Sequence, residues 1–143
     1  MDSPVVKFSM GLIGSRNRKI IRATICDMLV LPDAIDNELS LTGYYEPLEE
    51  GADRAYLAFM TFFDEVRKRF GFYRETLRSV KIPSMVIWGI HDDTLVAEEA
   101  VPLFQEDLGI PNSQVFLRGD AKHLIMEEVP EFIAARITEF LSV

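Results

Sequence analysis

The sequence predicts an α/β protein: two or so parallel strands with flanking helices, preceded by a helical first half. Three observations carry this. Ser84-Met85-Val86-Ile87-Trp88 is an almost wholly apolar run, opened by Pro83 and stopped by Gly89, and such a run suits a strand buried on both faces. Gln114-Val115-Phe116-Leu117 is a second short run of strand-forming residues. Each run is followed by a stretch with helical periodicity, the last carrying Val129, Phe132, Ile133, Ile137, Phe140 and Leu141 on one face.

Taken in order, the first 14 residues hold a short apolar segment, Val5-Val6-Lys7-Phe8, and then Ser9-Met10-Gly11. Residues 17–31 place apolar side chains at Ile20, Ile21, Ile25, Met28 and Leu29 with basic residues between, the pattern of an amphipathic helix that Pro32 ends. Asp33 to Leu39 can start a short second helix, and Thr42-Gly43-Tyr44-Tyr45-Glu46-Pro47 reads as a turn. A long helix is expected from about Arg54 to Arg69, a run of helix formers without Pro or Gly. Its apolar residues, among them Phe59, Phe62, Phe63 and Phe70, are too many for one stripe and predict burial on more than one side. Residues 71–81 form a short amphipathic helix returning the chain to the first strand. Residues 97–108 form the helix between the strands, with Gly109-Ile110-Pro111 turning into the second.

Chemistry gathers at the carboxyl ends of strands in open α/β sheets. The first strand runs directly into Gly89-Ile90-His91-Asp92-Asp93, and the second into Arg118-Gly119-Asp120-Ala121-Lys122-His123. Asp92 and His123 therefore stand after adjacent strands, where a carboxylate can orient an imidazole and stabilise its protonated form. Alone, Asp92 would read as a loop carboxylate and His123 as a surface or packing histidine; their paired positions favour the catalytic reading. Asp93 is expected to face solvent or cap the following turn. His91, Asp92 and Asp93 are consecutive and so a poor metal set, since neighbouring residues rarely converge on one ion. Glu127 and Glu128 are placed in the first turn of the last helix, where the helix dipole favours negative charge.

These residues resemble the α/β-hydrolase superfamily. Trp88-Gly89-Ile90-His91-Asp92 is similar to its G-x-x-D acid turn, and Lys122-His123-Leu124-Ile125-Met126-Glu127-Glu128-Val129-Pro130-Glu131-Phe132 to its histidine loop, commonly G-H-x-x-x-x-E-x-P-E-x. Lys122 stands where that loop usually has glycine. The resemblance leans toward enzymes with a helical cap, such as epoxide hydrolases, haloalkane dehalogenases and ester or C–C bond hydrolases. It implies a cap or lid over residues 1–79 and the C-terminal part of the hydrolase core over residues 80–143. It implies Asp92 and His123 as acid and base of a triad. It also implies a pocket for a small, largely apolar substrate, with Tyr44, Tyr45, Phe59, Phe63 and Trp88 as candidate lining. Cap tyrosines polarise the epoxide oxygen in epoxide hydrolases, which draws attention to Tyr44, Tyr45 and Tyr56; the plain alternative is that their hydroxyls reach water. For the phenylalanines the plain alternative is core packing.

A nucleophile is the missing piece. Lys7-Phe8-Ser9-Met10-Gly11 is a near miss to the G-x-S-x-G elbow, with lysine for the first glycine. No oxyanion loop or set of strands precedes it, and Gly14-Ser15-Arg16-Asn17-Arg18 continues it poorly, so it reads as a chance match. The expectation is a hydrolase whose nucleophile lies outside this chain, partnered by the missing N-terminal half of the core or by self-association. The alternative is a shortened, non-catalytic relative that binds through its exposed sheet edge.

Composition narrows the partners. A net charge of −8 argues against a nucleic-acid backbone as partner. The single cysteine, Cys26, allows no intrachain disulfide or cysteine-built metal cluster. Met1-Asp2-Ser3-Pro4-Val5-Val6-Lys7 lacks the basic and long apolar regions of a signal peptide, and no run is long enough to cross a bilayer. No cofactor or membrane partner is expected, and a cytoplasmic setting is.

Overall fold

The computed structural model describes residues 17–35 and 38–142, without the side chains at 38, 39, 53, 56, 57, 59–61, 63 and 64. The segment around Val5–Ser9 and the side chains of Tyr56, Phe59 and Phe63 lie outside the described residues.

Helix α1 spans Arg18–Asp27, opened by the Asn17 side chain, which accepts from the Lys19 N–H at 3.0 Å. It buries Ile21 and Ile25 along one face. It stops four residues short of the expected 31 because the backbone beyond it is captured elsewhere. The Val30 and Leu31 N–H groups donate to the Glu128 carboxylate, and the Met28 carbonyl accepts from His123 and Leu124. A 3-10 turn, Pro32–Ile35, then seals Ile35 into the core.

Helix α2, Glu38–Glu49, overturns the expected turn at 42–47. Gly43 and Pro47 are turn formers by local preference, yet Leu41, Tyr44, Tyr45 and Leu48 fall on one helical face, which packs against Ile21, Ile25 and Ile35. Pro47 sits in the last turn, where losing one backbone bond interrupts little further helix. Gly51, at φ 100°, adopts a left-handed conformation open to glycine and separates α2 from α3, Ala52–Lys68. The main contacts of α3 are with α2 and with α4, Phe70–Ser79. Phe62 and Phe70 are exposed, so the expected burial on several sides does not extend to them.

Strand β1, Val86–Gly89, pairs in parallel with β2, Val115–Arg118, in the register Val86↔Val115 to Gly89↔Arg118. Between them lie α5, Ala97–Leu108, and a 3-10 turn, Asn112–Gln114. After β2 come a single-turn helix α6, Ile125–Glu128, and α7, Pro130–Leu141. Among the described residues the sheet has these two strands. On one face Val86 packs with Ala97, Val101 and Ile110. On the other, Phe116 meets Phe132 of α7 edge-on at 6.3 Å. Two strands are too narrow to be buried throughout: Trp88 is only half-buried and Leu117 is exposed, against the expectation for both strand faces. The outer apolar residues of α7, Ile137 and Leu141, are exposed for the same reason.

Helices α4 and α5 are joined by charge. Asp107, a buried carboxylate on α5, accepts from Arg74 at 2.6 Å and faces Arg78 at 2.9 Å, while Glu106 takes the outer side of both arginines. Hydrogen bonds from the Arg74 guanidinium hold the Asp107 carboxyl below the usual carboxylate range. A depressed folded-state pKa contributes stability that is present above the unfolded value, about 4, and is lost as pH falls through the folded one. The Tm of the wild type should therefore exceed that of Asp107→Asn at pH 7, with the gap closing below about pH 4. Thermal melts of both proteins across pH 3–7 check this, and a pH-independent gap would remove the pairing as its source.

No helix among the described residues is long and apolar enough to cross a membrane.

Candidate active site

The turn after β1 is shaped by its own backbone. The Ile90 N–H donates to the Arg118 carbonyl, the His91 N–H to Ala121, and the Asp92 N–H folds back onto Gly89. This brings the loop after β2 against the end of β1. Gly89 is where the two touch: a Cβ built there would lie 2.3 Å from the Lys122 carbonyl oxygen and 2.5 Å from that of Ala121. Only a residue without a side chain admits the histidine loop so closely.

Asp92 is buried, at 6% exposure, yet both its oxygens are occupied. Oδ1 accepts the N–H groups of Thr94 at 2.9 Å and Leu95 at 2.8 Å. Oδ2 lies 2.9 Å from His123 Nδ1. It is thus Asp92, not Asp93, that caps the following turn. The exposed Asp93 carboxylate lies 3.1 Å from Lys122 Nζ. With Asp92 ionised, Nδ1 of a neutral His123 carries the proton and Nε2 keeps its lone pair. The partly buried ring can therefore take up a proton at Nε2 and share the resulting charge with Asp92.

A cavity of about 280 Å³ opens beside this pair, lined by Ile87, Trp88, Leu95, Ile125 and Met126 with Asp92 and His123. Of the other candidate residues, Trp88 reaches it, with its indole N–H donated to the Leu95 carbonyl at 3.1 Å. Tyr44 and Tyr45 do not line this cavity. The Tyr44 hydroxyl donates to Glu127 at 3.0 Å, and burial with that neighbouring carboxylate pushes its pKa up to about 12. It lines a separate apolar cavity of about 250 Å³ between α1, α2 and Leu124. Tyr45 is buried in the core, with the Arg18 guanidinium 5.1 Å from its ring centre. The Phe59 and Phe63 side chains lie outside the described residues. His91 is exposed, and no group of three metal-ligating side chains converges among the described residues.

Glu127 and Glu128 fall in α6 rather than in the first turn of α7. Pro130 starts α7 afresh, and the two carboxylates turn toward the helical half of the chain. Their partners are the Tyr44 hydroxyl and backbone N–H groups, not the α7 dipole. Lys122, despite standing in a glycine position of the resembled loop, needs no left-handed backbone, since no described non-glycine residue has positive φ. Its Nζ instead reaches the Asp27 carbonyl at 2.6 Å.

No protein-family model matches the chain, and no solved structure matches it. Among curated proteins it is 34% identical over 108 residues to "Uncharacterized hydrolase YugF" of Bacillus subtilis (strain 168), a stretch covering 75% of this chain. The chain spans 36% of the length of that relative, which is described only as a hydrolase.

Proposed function

We propose that this chain carries the acid and the histidine of an α/β-hydrolase site acting on a small, largely apolar ester, epoxide or related substrate, with the nucleophile supplied from outside this chain. The observation that carries the reading is the 2.9 Å contact between His123 Nδ1 and the buried Asp92 carboxylate, each following one of two adjacent parallel strands and both lining one cavity. In this reading His123 Nε2 takes the proton of a serine nucleophile. With an aspartate nucleophile it takes the proton of the water that cleaves the alkyl-enzyme ester. Asp92 stabilises the imidazolium in either case. Residues 1–79 then act as the cap and residues 80–143 as part of the core.

Two surfaces suit the missing partner. The edge of β1 away from β2 has no strand partner among the described residues, and unpaired edges recruit other strands. An apolar groove of about 410 Å³, lined by Phe70, Leu77, Leu103 and Phe104, reaches the same strand at Trp88. The same surfaces favour self-association, or the binding role of a non-catalytic relative, when that partner is absent.

The test is complementation. The chain alone should hydrolyse aryl esters and epoxides negligibly, since a triad without its nucleophile retains only residual catalysis. A chimera joining this chain to the part of the Bacillus subtilis relative outside the matched stretch should turn substrate over, and His123→Ala should cost it about 1,000-fold or more. Turnover by the chain alone that Ser9→Ala abolishes would return Ser9 to the role of nucleophile. A chimera indifferent to His123→Ala would end the proposal.

A further inference from the structure

The Glu128 carboxylate does more than sit near the site. Its Oε1 accepts the backbone N–H groups of Val30 and Leu31, and its Oε2 accepts that of Lys122 at 2.6 Å. Val30 and Leu31 belong to the turn after α1, 98 and 97 residues away in the chain. Lys122 immediately precedes His123. The same turn reaches back from the other side, for the Met28 carbonyl accepts from the N–H of His123 at 3.2 Å and of Leu124 at 3.4 Å. His123 is thus bracketed by backbone anchored on residues 28–31; Glu128 closes the bracket at the Lys122 backbone N–H, while the lysine's own Nζ reaches the Asp27 carbonyl. A carboxylate is well suited to closing it, because it is acceptor-only and offers oxygens to donors on both sides. Hydrogen bonds to an ionised acceptor are roughly twice as strong as neutral ones.

We propose that Glu128 is a positioning residue that holds His123 on Asp92, tying the helical half of the chain to the histidine loop. It touches neither substrate nor reacting atoms. Asp92 is fixed by the N–H groups of Thr94 and Leu95; Glu128 does the corresponding work for its partner. The inference rests on the reading of Asp92 and His123 as a working pair, but its consequences are visible without turnover.

The probe is Glu128→Gln in the full 143-residue chain, with Glu131→Gln, an equal charge change on the exposed first turn of α7, as control. A carboxamide keeps one acceptor oxygen for Val30 and Leu31, but turns an NH2 group toward the Lys122 N–H, donor against donor. Amide exchange at Lys122 should then accelerate about tenfold or more, as expected for losing a hydrogen bond to a charged group. The decisive readout is His123 itself. With two histidines in the chain, ¹⁵N-histidine labelling with His91→Gln for assignment isolates its Nδ1–H signal. In wild type and Glu131→Gln that proton should be observable and slowly exchanging; in Glu128→Gln it should broaden or vanish. An unchanged Nδ1–H signal in a folded Glu128→Gln, even with faster exchange at Lys122, would reduce Glu128 to an ordinary tie in the fold and overturn the proposal. Should Glu128→Gln not fold, wild type still decides it. Scalar couplings across the hydrogen bonds from the Val30, Leu31 and Lys122 amides to the Glu128 carboxyl carbon should be measurable, and their absence overturns it. A chimera that fails to hydrolyse anything while these signals are present would sink the hydrolase reading and leave the positioning role standing.

Discussion

Replacing Asp92 with asparagine should lower kcat of the complemented hydrolase by about 1,000- to 10,000-fold while leaving the fold intact. The size of the effect follows from the two sides of the carboxylate. Oδ1 is claimed by two backbone donors, Thr94 and Leu95, at 2.9 and 2.8 Å. An asparagine must therefore keep its carbonyl oxygen on that side, because its NH2 group would face two N–H groups there. The NH2 group is left pointing at His123 Nδ1, which can meet it only as an acceptor. That forces the tautomer with the proton on Nε2 and removes the lone pair needed to accept a proton from the nucleophile. The substitution is nearly isosteric and keeps both turn hydrogen bonds, so Tm should change by a few degrees at most. KM should be nearly unchanged, because the interaction lost is one made with the histidine and not with bound substrate. Steady-state kinetics on an aryl ester, with a thermal melt of the same sample, measures all three quantities. Activity above about a tenth of wild type would show that Asp92 does not set the tautomer.

Why Asp92 and His123 are legible in the sequence, and their supports are not, is a matter of range. Each follows a short apolar run bounded by Pro83 and Gly89 or ending at Leu117, and an apolar strand declares itself in four or five consecutive residues. The helices 97–108 and 130–141 declare themselves similarly, through a period of apolar residues. Glu128 stands at the first glutamate of the resembled histidine loop, but its role leaves no such trace. Two of its three donors lie far away in the chain, at Val30 and Leu31, and nothing local shows that the carboxylate meets backbone N–H groups rather than a helix dipole. The early end of α1 has the same origin, since those N–H groups leave the helix to bind Glu128.

The helix that replaces the expected turn at 42–47 has a different cause. Gly43 and Pro47 are strong local punctuators, and their signal obscures the helical spacing of Leu41, Tyr44, Tyr45 and Leu48. Burial of that face against Ile21, Ile25 and Ile35 outweighs the lost hydrogen bond at Pro47. An apolar side chain fully buried contributes about 1.5–3 kcal/mol, and the penalty for proline is smaller near a helix end than in its interior. Tyr44 and Tyr45 therefore stand out in the sequence as an aromatic pair in a turn, whereas in the fold one is tied to Glu127 and the other is core.

Among the described glycines, Gly89 should tolerate an added methyl group least. The added Cβ would meet not a flexible side-chain tip but the carbonyls of Ala121 and Lys122, at 2.5 and 2.3 Å, where ordinary contact needs more than about 3 Å. One of the two backbones must move. β1 is held in register to β2, so the displacement falls on the histidine loop. That loop is itself tied to Met28 and to Glu128, which leaves it little room to yield. Overpacking of this kind costs about 1–3 kcal/mol or more, a large part of the roughly 5–15 kcal/mol that holds a small domain folded. Moving the loop by about 1 Å also carries His123 away from Asp92, and a misplacement of that size costs catalysis on the order of 100-fold. Gly119→Ala is the matched control, because its Cβ would meet only Ile90 Cδ1 at 3.7 Å. Urea unfolding should therefore show Gly89→Ala well below wild type and Gly119→Ala within about 1 kcal/mol of it. The His123 Nδ1–H signal should be lost in the first and kept in the second. Equal stability of the two variants would mean that the loop does not approach β1 as closely as its carbonyls indicate, and the tight seat of His123 against Asp92 would go with it.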